Sequence, residues 1–132
     1  MLEFDNVRLE LESYDEPLKS LKDSLHIDAL STKISELEAR TQEPDFWNDV
    51  NKAQKLQTDL RRMQQRVEGY EHLMTDQEDL LALCELANEE EDISALEELT
   101  AGVEKFKQDF EKMRLETLLT GPYDKNNAVL SL

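Results

Sequence analysis

The stretch Ala53–Met74, AQKLQTDLRRMQQRVEGYEHLM, decides how this chain folds. Its residues Ala53, Leu56, Leu60, Met63, Val67, Tyr70 and Met74 recur at alternating intervals of three and four. A helix turns once in 3.6 residues, so that spacing lays all seven along one face. Two further stretches carry the same pattern: Val7, Leu11, Tyr14, Leu18, Leu21, Leu25 and, later, Leu96, Leu99, Val103, Phe106, Phe110, Met113. A shorter set, Leu30, Ile34 and Leu37, lies between the first two. Charged residues make up 35% of the 132, a composition shared by disordered chains and by long exposed helices. The phased stripes decide for helices, because a disordered chain has no reason to keep one. The expected fold class is all-α, an elongated antiparallel helical bundle built around a long helical hairpin.

Local chemistry sets the expected boundaries. Pro17 interrupts the first stripe, predicting a kink or a new helix start with Asp15 as its cap. Asp28 or Ser31 can cap the next, short helix, which should fail before Pro44. Glu43-Pro44-Asp45-Phe46-Trp47-Asn48-Asp49 reads as a compact turn, with Asp49 capping the helix after it. A break is expected near Thr75-Asp76, and Asn88-Glu89-Glu90-Glu91-Asp92 reads as a polar hairpin tip. The last helix should stop at Thr120-Gly121-Pro122, where Gly offers a cap and Pro prevents continuation. Helices of about 26 residues would each span roughly 39 Å. Gly69 and Gly102 sit inside the pattern, each costing roughly 1 kcal/mol against alanine unless a close helix crossing uses them. Residues 1–120 therefore form the helical domain. Residues 121–132, ending in the strand-like Ala128-Val129-Leu130-Ser131-Leu132, read as the truncated start of a following α+β domain, since a strand needs a partner the sequence does not offer.

The formal net charge is −16, which opposes a grip on nucleic-acid phosphates or anionic membranes by the chain as a whole. The charge is segregated: no Lys or Arg occurs from Val67 through Glu104, while cations gather in Lys52–Arg66 and Lys105–Arg114. The N-terminus lacks a basic, apolar leader, and no apolar run approaches the ~20 residues of a membrane span. One cysteine excludes an internal disulfide framework, so a cytoplasmic protein is expected.

Enzyme chemistry finds no support, and neither catalytic residues, a cofactor nor a metal site is expected. Cys84 falls in phase with Leu80 and Ala87 and reads as a packed thiol. His26 and His72 have no neighbouring His or Cys at metal-ligand spacing. No phosphate-binding glycine loop or nucleophile elbow occurs. Two places invite a binding role. The acidic tip Glu89, Glu90, Glu91 and Asp92 is either a solvated loop that discourages self-association or an electrostatic contact for a basic partner. The rings of Phe46 and Trp47, beside Pro44 and Asp45, either plug a crevice between helices or meet a partner; the lone Trp of the chain favours the plug. The stripes would also suit a homodimeric coiled coil, but Pro17, Pro44 and the acidic tip divide them, and no stable homo-oligomer is expected.

The turn Glu43–Asp49 followed by Ala53-Gln54-Lys55-Leu56, together with Leu119-Thr120-Gly121-Pro122-Tyr123-Asp124, resembles the bacterial release factor 2 family. The resemblance covers most of the chain, with its specificity in those two phrases. It departs at Leu25-His26, where many members carry a Leu-Asp pair left by a programmed frameshift. The resemblance implies an N-terminal helical domain that reaches the base of the large-subunit stalk of the ribosome, near the GTPase that recycles such factors. It also implies that stop codons UAA and UGA are read by a Ser-Pro-Phe element, and that peptidyl-tRNA is hydrolysed with a Gly-Gly-Gln loop. Neither tripeptide is in this sequence. The expected role is therefore noncatalytic positioning of a terminator, with a stand-alone helical adaptor or inhibitor of the same ribosomal surface as the alternative.

Overall fold

A computed structural model describes residues 2–120, and among them the structure is all-α. The elements are α1 (Leu2–Glu12), α2 (Asp15–Leu25), α3 (Ile27–Arg40), a short 3-10 turn (Phe46–Asn48), α4 (Val50–Glu89) and α5 (Ala95–Thr120). The strand expected at Ala128–Leu132 lies outside the described residues, as does the proposed domain start at 121–132.

The antiparallel pair α4 and α5 forms the long hairpin, and α1, α2 and α3 run in succession back along α4. α4 has 40 residues and α5 has 26, so α4 is about 60 Å long and α5 about 39 Å. A side chain added at Gly102 would meet Leu80, and one added at Gly69 would meet Met113. Both glycines thus admit a side-chain tip from the facing helix, the close crossing the sequence left open. That register brings the described end of α5 level with Arg62, so among the described residues the first turns of α4 pack against α3 and the Phe46–Asn48 turn.

The three stripes meet as expected. One core joins Leu11, Leu18, Leu21, Leu25, Leu60, Val67, Leu73, Phe106 and Phe110, and a smaller cluster near the tip joins Phe4, Cys84, Ala87 and Leu99. Tyr14 closes the joint between α1 and α2 by setting its ring edge-on against Phe106 and Phe110, with centroids 5.2 and 5.1 Å away.

Three boundary expectations need correction or refinement. The chain breaks at Ser13-Tyr14, Asp15 is the first helical residue rather than the cap, and Pro17 sits in the first turn, where its missing N–H is harmless. α3 begins at Ile27, ahead of both Asp28 and Ser31, because His26 alone makes the corner with left-handed φ 57° and ψ 47°. No break occurs at Thr75-Asp76, and α4 runs through it. The reason is Gln77, buried in the seam, whose Nε2 donates to the Leu11 carbonyl at 2.9 Å and to Asp15 Oδ1 at 2.7 Å. A polar cluster that resembles a cap is here a clamp across the α1–α2 joint. Asp49 caps α4 as expected, accepting from the Lys52 backbone N–H at 3.1 Å.

Candidate partner-binding sites

The tip is shaped by an unusual helix stop. α4 ends at Glu89, Glu91 adopts φ 52°, and the backbone N–H of Asp92 donates to the Ala87 carbonyl while that of Glu91 donates to Asn88. These two bonds satisfy carbonyls that a helix end otherwise leaves open, in the pattern that normally places glycine at the left-handed position. Ser94 Oγ then donates to Asp92 Oδ1 at 2.5 Å, bracing the start of α5. Glu89, Glu90, Glu91 and Asp92 all stand exposed. They crown a segment, Val67 through Glu104, with thirteen acidic residues and no Lys or Arg. Among the described residues, Lys107 of α5 borders this segment, pairing with Glu104 at 3.6 Å and with Glu10 of α1 at 2.7 Å. Two apolar side chains also stand out of the acidic end, Leu86 at 52% and Ile93 at 50% exposure. Sequence periodicity missed them because they lie off the seams.

The aromatic turn occupies the other end of α4, about 60 Å away. The expected plug does not form. Phe46 is half-buried, but Trp47 is 50% exposed and rests edge-on against Phe46 at 4.9 Å. Pro44 and Asp45 are exposed beside it. The rings rest on each other at the surface because, among the described residues, only α3 and α4 converge here and no third helix closes over the indole. The two candidate sites are thus not one site but the two ends of a rod.

Between them, the one thiol is committed to packing. Cys84 is buried, its Sγ–H donates to the Phe4 carbonyl at 3.2 Å, and burial pushes its thiol above the ordinary value. His72 is exposed and its Nδ1 lies 3.2 Å from Asp76. Among the described residues no group of His, Cys, Asp and Glu is arranged to hold a metal ion. No described helix is long and apolar enough to cross a membrane. A shallow groove between α2 and α5 is lined by Tyr14, Pro17, Leu21, Phe110 and Leu118, with serine hydroxyls along its rim.

This arrangement of a long helical hairpin braced by three shorter helices has relatives. Residues 30–132 match the PCRF domain, and the chain belongs to that family. It is 37% identical over 131 residues to peptide chain release factor 2 of Exiguobacterium sp., covering 99% of this chain and 36% of that protein. It is 35% identical over 131 residues to peptide chain release factor 2 of Staphylococcus epidermidis, covering 99% of this chain and 35% of that protein. Against peptide chain release factor 2 of Saccharopolyspora erythraea it is 35% identical over 127 residues, covering 96% of this chain and 35% of that protein. The chain spans little more than a third of the length of these curated relatives. No solved structure matches it.

Proposed function

We propose that this chain is the noncatalytic helical part of a cytoplasmic peptide chain release factor that directs termination at UAA and UGA codons. Its task is to position the factor on the ribosome at the base of the large-subunit stalk, within reach of the recycling GTPase. The match to peptide chain release factor 2 along 99% of the chain carries this reading. The distribution of chemistry supports it: the thiol is packed away, and what the molecule offers outward is a charged tip. A protein partner with a basic surface would be steered onto Glu89–Asp92, gaining encounter rate and orientation.

Cosedimentation with ribosomes tests the reading. The chain is expected to pellet with them, to release no peptide at a stop codon, and to compete with a full-length factor. Substituting Lys for Glu89, Glu90, Glu91 and Asp92 together should weaken the association most at low salt. Neither pelleting nor competition at any salt concentration would overturn the assignment.

A further inference from the structure

The side of α4 that faces α5 does not end where α5 ends. Through Gly69 and Leu80 it lies against Met113 and Gly102. Continued toward the N-terminus in the same helical phase, it becomes Arg66, Arg62, Asp59, Lys55 and Lys52. Among the described residues nothing of α5 covers the lower part, and the side chains of Lys55 and Arg62 are 78% and 66% exposed. Asp59 is the one acid within the stripe, and it draws both cations inward, at 3.4 Å from Lys55 and 3.7 Å from Arg62. Arg66 lies within the field of Glu116 on α5, so the surplus of positive charge rests on Lys52, Lys55 and Arg62 against Asp59. Lys52 to Arg66 covers about 21 Å of helix axis, room for several consecutive phosphates of one nucleic-acid strand. About a turn before Lys52 stands the exposed indole of Trp47, an aromatic face on which a base can stack.

We infer that this stripe, with Trp47, is a contact for the phosphate backbone of RNA, made when the rod is seated on the ribosome; the inference rests on the function proposed above. The net charge of −16 opposes RNA binding by the chain as a whole, but its segregation orients the stripe. The acidic residues from Val67 to Glu104 are repelled by the same polyanion, so the rod meets RNA base-first and holds its tip toward a basic protein surface. An acidic protein segment over the stripe is the competing occupant.

The experiment pairs the wild-type chain with a variant carrying Lys52→Glu, Lys55→Glu and Arg62→Glu. A control, Lys19→Glu, sits on exposed α2 away from the stripe. Helicity by circular dichroism confirms that each folds, with Lys→Gln and Arg→Gln replacements held ready if the acidic set does not. Ribosome binding by the triple variant should fall at least about tenfold, and its dependence on salt should flatten by on the order of two in log–log slope. The Lys19→Glu control should lose far less. A photocrosslinker placed at Lys55 should label RNA. A triple variant that binds like wild type, or a crosslink confined to protein, overturns the inference while leaving the proposed function standing. If the wild-type chain fails to bind ribosomes, the function falls, and a synthetic RNA hairpin at low salt becomes the probe. Stripe-dependent binding to that hairpin supports the contact on its own, and equal binding by variant and wild type removes it.

Discussion

One helix, α4, serves two neighbourhoods, and the same apolar repeat has different depth in each. From Tyr70 toward the tip it is flanked by α5 on one side and by α1 and α2 on the other. There Leu73 is 1% exposed, and on α5 Leu99 and Phe106 are 0% and 1%. Toward the base, among the described residues, only α3 and the Phe46–Asn48 turn accompany it, and Leu60, Met63 and Val67 retain 8%, 8% and 9%, while only the small Ala53 is closed off at 1%. Two helices can bury a seam, but a third is needed to bury its flanks. The seam alone therefore does not set stability: stability resides in the tip half and middle, while the base keeps surface available for other uses.

Truncation in the two neighbourhoods should expose that difference most strongly. Phe106→Ala is expected to cost about 3–5 kcal/mol, because its site is closed on every side by Tyr14 and the α4 seam. Leu60→Ala should cost about 2 kcal/mol, at the low end for a leucine, since the open flank lets the site relax. Urea denaturation measures both, and equal losses would erase the distinction between the halves. Next in size, Gln77→Ala removes the clamp on the α1–α2 joint and should cost about 1–2 kcal/mol. The Leu11 carbonyl keeps its bond from the Tyr14 N–H, which limits the loss. A cycle with Asp15→Ala should show the two side chains coupled, and full additivity would mean the clamp is not made in solution.

Alkaline titration gives a smaller effect with a definite sign. Burial raises the Cys84 thiol, and burial reinforced by Asp23 and Asp28 raises the Tyr70 phenol. Raised folded values mean the native state holds these protons longer than the unfolded chain does. The associated stability is therefore complete below the ordinary values of 9.0 and 10.0 and is lost as pH climbs through the folded ones. Melting temperature followed from pH 8 upward (the window these directions define) should decline, and Cys84→Ala should remove the part belonging to the tip cluster. The least effect is a gain: Glu91→Gly relieves a left-handed side chain at the tip and should stabilise by up to about 1 kcal/mol. Trp47→Ala at the opposite end should change stability by less than about 1 kcal/mol, because half the indole is in water already. A larger loss there would mean the ring is packed more tightly than its exposure shows.

Much of this architecture was legible before any coordinates. The spacing of Ala53–Met74 and its two companion stripes places nearly all the core residues, and the acidic loop and Asp49 mark the hairpin tip and the cap of α4. What escaped reading depends on partners distant in sequence. Gln77 looks like part of a helix break until Leu11 and Asp15, more than sixty residues earlier, come to meet it. The corner at His26 is a left-handed residue that carries no glycine signal. Indoles bury well, which predicts Trp47 inside, yet burial needs three converging elements and the base supplies two helices among the described residues. The acidic tip was visible as a loop, but the exposed Leu86 and Ile93 beside it lie outside the periodic pattern.

The unbroken course of α4 has a mechanical consequence. With no proline and with Gln77 locked where a joint was expected, its 40 residues act as a single strut about 60 Å long. Lever arithmetic then applies. A tilt of about 5° about the Trp47 end sweeps Glu91 through about 5 Å, close to the rise of one helical turn. A change too small to disturb the packing at one extremity is thus delivered at the other as a displacement large enough to make or lose a side-chain contact.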